Sequence, residues 1–278
     1  MFYRKTSHGI EIPSSPDLDL LQTLDCGQCF RWQVLPGGEY RGIACGRTLT
    51  ITEQNGTVLF HGVTAAEFET TWIPYFDLDF DYAAVRESLA QMHPALRQAA
   101  AFAPGIRLLQ QDPWEALCSF ILSQNNNIPR IKGLVDRLCQ LLGEEHDGFY
   151  DFPSPERLAV QTVDSLAPVR SGFRAKYLID AAQKVAGGEV DLEALSRLPI
   201  DEARQSLMKI YGVGEKVAEC ALLYGLHRLE AFPMDVWMKR AMAVLLPGYT
   251  PQQLGPYAGV AQQYLFHYSR CNAQLFSA

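Results

Sequence analysis

The chain has 278 residues, 48% of them hydrophobic and 20% charged, an ordinary globular composition with enough apolar material for a sizeable core. No apolar run approaches the ~18 residues of a membrane helix, and MFYRKTSHGIEIPSS lacks a signal-peptide core, so a soluble intracellular protein is expected. A net charge of −7 argues against tight non-specific binding to a polyanion.

Residues 20 to 62 read as β-rich. A strand through Gln28–Leu35 turns at Pro36-Gly37-Gly38 and returns through Tyr40–Cys45. Thr48–Glu53 and Thr57–Phe60 flank Asn55-Gly56, a strong hairpin signal because both turn positions favour positive φ. Helical periodicity takes over from Thr64, with Pro74, Pro94, Pro104 and Pro113 expected to break the helices apart. The expected fold is α+β: a small antiparallel β lobe over residues 1–82, then a mainly helical body over residues 83–278.

Seven cysteines without a secretory signal point to reduced thiols. Cys26-Gly27-Gln28-Cys29 has redox spacing but lacks the βαβ surroundings of a thioredoxin-like site. In Gly105–Gly143, an apolar helix carrying Trp114, Leu117 and Ile121 leads into Asn125-Asn126-Asn127. Asparagine competes for helix backbone, so by itself this run reads equally well as a capped helix end.

The stretch from Leu198 to Met242 carries the most chemistry. Leu207 and Ile210 close one helix, Gly212-Val213-Gly214 makes a tight hairpin, and a second helix near Glu215 carries Val217, Cys220, Ala221 and Tyr224 on one face. Unpaired amides and the positive end of the second helix suit a phosphate. Lys216 lies in that first turn, where the dipole disfavours an ammonium and a neutral amine would be nucleophilic. Asp235 follows Pro233 and opens a third helix. Taken alone, Lys216 reads as a solvated surface residue and Asp235 as an N-cap. Basic residues cluster at Arg130, Lys132 and Arg137, at Arg170, Arg174 and Lys176, and at Lys209, Lys216, Lys239 and Arg240. Such a short basic seam on an acidic body fits contact with a few phosphates.

Helix, G-V-G, helix with an early lysine, then Pro-x-Asp resembles the helix-hairpin-helix, Gly/Pro-rich loop, Asp superfamily of DNA glycosylases, with the motif near 201–226. A lysine at the position of Lys216 marks its bifunctional glycosylase/lyases. Three more segments resemble the 8-oxoguanine DNA glycosylase family specifically. They are CGQCFRW from Cys26, RLLQQDP with NNNIPRI from Arg107, and GPYAGVAQQYLF from Gly255. Together they reach from about residue 24 to residue 268.

The resemblance implies a bifunctional DNA glycosylase/AP lyase acting on duplex DNA that contains 8-oxoguanine, preferably opposite cytosine. It makes Lys216 the Schiff-base nucleophile and Asp235 its partner carboxylate. Gly27 would offer a carbonyl to N7–H of the lesion, Phe266 and Cys220 would sandwich the flipped base, and Gln262 would bond its Watson–Crick edge. Asn125, Arg130 and Arg174 would hold the orphaned cytosine, with Phe173 as the wedge where a Tyr is common. Gly212, Gly214 and Val217 would place amides on phosphate, and carbonyls of Met208, Ile210 and Val213 could hold a structural monovalent or divalent cation. No other cofactor is expected, nor an iron–sulfur cluster, because no four-cysteine loop follows the helical core. Tyr211 and Trp237 depart from the family's usual Pro and His. Nothing demands more than a monomer or a membrane, and a bacterial member would sit in the cytoplasm with the nucleoid. Two alternatives remain: a lysine-dependent glycosylase for other oxidised bases, and a non-catalytic helix-hairpin-helix DNA-binding module.

Overall fold

The structure, a computed structural model, describes residues 2–146 and 148–276. In chain order the first elements are β1 (Arg4–Thr6), β2 (Gly9–Pro13), α1 (Leu20–Leu24), β3 (Trp32–Val34), β4 (Tyr40–Ala44), β5 (Arg47–Gln54) and β6 (Thr57–His61). Next come α2 (Ala65–Glu67), a π-helical turn over Phe68–Trp72, α3 (Ile73–Tyr75), α4 (Tyr82–Met92), α5 (Pro94–Phe102), α6 (Pro113–Ser123) and α7 (Ile128–Leu142). A hairpin of β7 (Glu145–His146) and β8 (Phe149–Tyr150) precedes α8 (Pro155–Ala159), α9 (Arg174–Ala186), α10 (Leu192–Leu195) and α11 (Ile200–Leu207). The chain ends with α12 (Glu215–Tyr224), α13 (Val236–Leu245) and α14 (Ala258–Cys271). The α+β class is borne out, with β1–β6 ahead of a mainly helical body. No helix among the described residues is long and apolar enough to cross a membrane.

Helix starts follow side-chain chemistry. Asp81, Asp112, Asn127, Ser154 and Asp191 each accept an N–H of the first turn of α4, α6, α7, α8 and α10. Pro94 and Pro113 begin α5 and α6 instead of interrupting a helix, because the first turn has N–H groups without partners and tolerates proline. Asn55 (φ 52°) and Gly56 (φ 73°) both adopt the left-handed conformation that the β5–β6 turn requires. The strand expected over Gln28–Leu35 shrinks to β3, because Gly27 (φ 92°) turns the chain and the Gln28 side chain anchors that turn in the core. The pair β1–β2 and the short α1 were not anticipated.

The chain forms two compact units that alternate along the sequence. One comprises Met1–Gln28, Ile51–Gln110 and His227–Ala278, the other Cys29–Thr50 and Gln111–Leu226. In the first, antiparallel β1, β2, β6 and the end of β5 pair in that order, with Ile10 opposite Phe60 and Phe60 opposite Ile51. Phe60 meets Phe68 and Phe76 edge-on, with ring centroids 5.0 and 5.7 Å away. Burying such aromatics supplies much of this unit's core. Helix α14 packs against α5 and α13 in the same unit.

In the second unit β3 pairs antiparallel with β4, and α6 is buried along nearly its whole length. Helix α12 packs on α6 and on α11, and α8 packs on α9. Phe120 of α6 stacks on Tyr224 of α12 with centroids 5.1 Å apart. This contact fixes the second helix of the hairpin against a buried neighbour.

Candidate active site

Lys216 emerges from the first turn of α12, behind Gly214, whose extended backbone serves as the cap. Its Nζ donates to Ser123 Oγ at 3.2 Å and lies 5.4 Å from the centroid of the Phe120 ring. The side chain is half-buried. A primary amine is thereby held at the N-terminal end of one helix and the C-terminal end of another.

The hairpin ahead of it is sterically demanding. Gly212 has φ 80°, and a Cβ there would come within 2.5 Å of the Tyr177 ring. Tyr177 stands edge-on to both Phe173 and Tyr211, at 5.6 and 5.1 Å. The Tyr211 amide donates to the Asp180 carboxylate at 2.6 Å. A proline there has no N–H to offer, so this departure gives the hairpin an anchor of its own. Among the described residues the amides of Gly212 and Gly214 donate to no backbone carbonyl, whereas the Val217 amide donates to Gly214 O at 3.1 Å. Carbonyls of Met208, Ile210 and Val213 lie in or beside this turn, and Ile210 O already accepts the Val213 amide at 3.0 Å. A carbonyl oxygen keeps a second lone pair, so that bond leaves Ile210 O with acceptor capacity of the kind a hard cation takes.

The structure brings the expected opposite-strand residues together within this second unit. Arg174, at the start of α9, donates through Nε and Nη2 to Gln124 O and through Nη1 to Ser171 O at 3.1 Å. Its guanidinium stacks 4.3 Å from the centroid of the exposed Phe173 ring. Burial, together with the charge of Arg130, lowers the affinity of Arg174 for its proton. Asn125 follows Gln124 with φ 52° and is exposed, as is Arg130. Asn127 caps α7 at the Arg130 amide. Arg174 therefore ties down the loop that presents Asn125 and Arg130.

Asp235, Gly27, Gln262 and Phe266 belong to the first unit. Asp235 is half-buried and caps α13, its Oδ1 accepting the Met238 amide at 2.7 Å. Gln262 on α14 is buried and donates to Pro233 O at 3.3 Å, two residues before Asp235. Phe266, one turn further along α14, is half-buried with the Arg270 guanidinium 5.7 Å from its centroid, so it is not a core phenylalanine. The Trp237 indole donates to Ser269 Oγ at 2.8 Å, and Ser269 Oγ donates to Phe266 O at 3.0 Å. Cys26 and Cys29 are both buried free thiols. Burial pushes the Cys26 thiol up to about 12, which removes the thiolate that redox exchange requires.

Comparison with known proteins decides the family. Residues 10–117 match the 8-oxoguanine DNA glycosylase, N-terminal domain, and residues 118–250 match the HhH-GPD superfamily base excision DNA repair protein. The N-glycosylase/DNA lyase OGG1 of Arabidopsis thaliana is 31% identical, the match covering 90% of this chain and 77% of the relative. The chain belongs to the 8-oxoguanine DNA glycosylase family.

Solved structures agree with that membership. A crystal structure of the Clostridium acetobutylicum 8-oxoguanine glycosylase/lyase, in complex with double-stranded DNA containing cytosine opposite 8-oxoG, superposes with a TM-score of 0.91 at 34% identity. It covers 98% of this chain and 99% of its own. A structure of MBOgg1 with a low affinity DNA ligand gives a TM-score of 0.91 at 40% identity, covering 98% of this chain and 100% of that one. In this glycosylase, sequence reasoning missed Ser123, Gln28 and Gln263. Gln28 and Gln263 stood inside segments already singled out, but only the folded chain shows where their amides point.

Proposed function

We propose that the protein excises 8-oxoguanine from duplex DNA, preferably opposite cytosine, and then nicks the strand at the resulting site. The observation that carries this reading is the amine of Lys216, held at the N-terminal end of α12 by Ser123. Lys216 Nζ forms a bond to C1′ of the flipped nucleotide as the bond from C1′ to the base breaks, and the electron pair leaves with the base, which takes up a proton. Opening of the sugar ring gives a Schiff base. Loss of a proton from C2′ then expels the 3′ phosphate by β-elimination. Asp235 offsets positive charge developing at C1′, as a fixed carboxylate can.

Base extrusion costs a few kcal/mol, and stacking on Phe266 and Cys220 with a hydrogen bond from Gln262 returns part of it. Phe173 fills the space that the base vacates. Asn125, Arg130 and Arg174 hold the cytosine left behind, and the amides of Gly212 and Gly214 hold phosphate, whereas the Val217 amide is already given to Gly214 O. The carbonyls of Met208, Ile210 and Val213 would bind a hard cation that neutralises phosphate charge at the hairpin. A DNA substrate supports a site of action inside the cell. Duplexes with and without a single 8-oxoguanine test the whole: cleavage and borohydride-trapped adduct are expected with the lesion alone. Cleavage of both duplexes alike, or of neither, would overturn the reading.

A further inference from the structure

Gly27 lies in a turn with φ 92°, a conformation that leaves a glycine carbonyl free to swing unless its neighbours are fixed. They are fixed on both sides. The Gln28 side chain has no solvent exposure, and its Nε2 donates to Thr23 O at 2.8 Å and to Arg107 O at 2.7 Å. Its Oε1 accepts the Leu109 amide at 3.0 Å. On the other side, Gln263 of α14 donates from Nε2 to Cys26 O at 3.3 Å, and the Cys26 thiol donates to Thr23 O at 3.2 Å. Thr23 Oγ1 in turn donates to Gly105 O at 2.9 Å. The residues before and after Gly27 are thus bonded to three separate segments of one unit.

We propose that Gln28 and Gln263 are positioning residues that fix the direction of the Gly27 carbonyl and so set how strongly the enzyme separates 8-oxoguanine from guanine. The inference rests on the reading of Gly27 as the acceptor for N7–H of the lesion. Guanine carries a lone pair at N7 and 8-oxoguanine an N–H, so the distinction depends on one acceptor. A hydrogen bond weakens steeply once its angle falls below ~120°, and a carbonyl that swings stops distinguishing the two bases. Gln263 adjoins Gln262 on α14, so its bond to Cys26 O also ties the turn to the helix that carries Gln262 and Phe266. The three groups read as touching the base are then held as one rigid set.

Three duplexes test this, carrying 8-oxoguanine, its analogue with carbon in place of N7, or a preformed abasic site. The native enzyme should excise the natural lesion roughly tenfold or more faster than the analogue, from one buried hydrogen bond. Gln28→Leu should bring that ratio down to about twofold, the residue of a bond made only part of the time, while β-elimination at the abasic site stays near the native rate. A ratio that survives in Gln28→Leu, with excision and abasic cleavage falling together, would reduce Gln28 to a structural role and overturn the inference. Should Gln28→Leu fail to fold, Gln263→Leu decides in the same assay, and an unchanged ratio there overturns it. A native enzyme that removes lesion and analogue equally fast would instead defeat the reading of Gly27, and this inference with it.

Discussion

Lys216 Nζ donates a hydrogen bond to Ser123 Oγ at 3.2 Å, and the Ser123 hydroxyl donates in turn to the Phe120 carbonyl at 2.7 Å. The chain of bonds runs from the first turn of α12 into the last turn of α6, and it aims an amine that a solvated lysine would leave wandering. Phe120 lies beneath the amine and itself stacks on Tyr224, so the platform is anchored at both helices. Lys216→Gln removes the nucleophile and keeps much of the side chain's length and polarity. Borohydride trapping of a protein–DNA adduct should vanish while lesion binding falls by no more than a few-fold, the loss of about one hydrogen bond. Trapping that persists in the variant would move the nucleophile elsewhere.

Asp235 has a structural duty that must be separated from its proposed catalytic one. Its Oδ1 accepts the Met238 amide at the start of α13, and asparagine can accept the same bond. Asp235→Asn should therefore keep the melting temperature but slow single-turnover base excision, because a neutral amide does not offset positive charge at C1′. Asp235→Ala should in addition lose about 1 kcal/mol of stability with the cap. A native excision rate in Asp235→Asn would leave the residue as a cap alone.

Asp77 supplies a pH-dependent part of the stability of the first unit. Burial alone would raise its carboxyl. The His227 imidazole, with Nε2 3.2 Å from the carboxylate, outweighs that together with bonds from Tyr82 and Gln110, each at 2.9 Å, and the group is held below the usual aspartate value. A carboxylate whose folded pKa is depressed stabilises the fold above its unfolded pKa of about 3.9 and loses that contribution as pH falls through the folded value. Asp77→Asn should lower the stability measured by urea unfolding near neutral pH. The gap to the native protein should close as the pH drops below about 4. A gap independent of pH would show that shape at this position, not charge, is what matters.

The sequence made legible those features whose cause is local. Asn55-Gly56 announces its hairpin because both positions need positive φ, and the face Val217, Cys220, Ala221, Tyr224 announces α12 through its spacing. Asn127 turned out to be the cap of α7 while Asn125 takes the left-handed conformation, a division that composition alone does not make. Pro94 and Pro113 mark helix starts, since proline reads as a stop or a start depending on which side the periodic pattern lies. Bonds between distant segments were not legible. Gln28 to Arg107, Gln263 to Cys26 and Lys216 to Ser123 join residues 79, 237 and 93 positions apart, and no local pattern encodes such pairings.

Opposite-base selectivity should divide unequally between the two arginines. Arg174 is largely committed within the protein: Nε and Nη2 bond Gln124 O, Nη1 bonds Ser171 O, and the plane stacks on Phe173. Its first task is to hold the loop carrying Asn125. Arg130 is exposed in the first turn of α7, and its guanidinium offers a planar fork of donors. Cytosine presents acceptors to such a fork, whereas adenine presents an exocyclic donor that repels it. The native enzyme should therefore excise 8-oxoguanine opposite cytosine at least roughly tenfold faster than opposite adenine, the low end of what a bidentate base contact provides. Arg130→Ala should flatten that preference more than it weakens binding, since among the described residues its side chain makes no hydrogen bond within the fold. Arg174→Ala should lower excision opposite every base, because the Gln124 carbonyl loses its anchor and the loop loosens. Single-turnover rates opposite each of the four bases separate the two outcomes. Equal rates opposite all four bases in the native enzyme, or a preference that survives Arg130→Ala intact, would remove Arg130 from cytosine recognition.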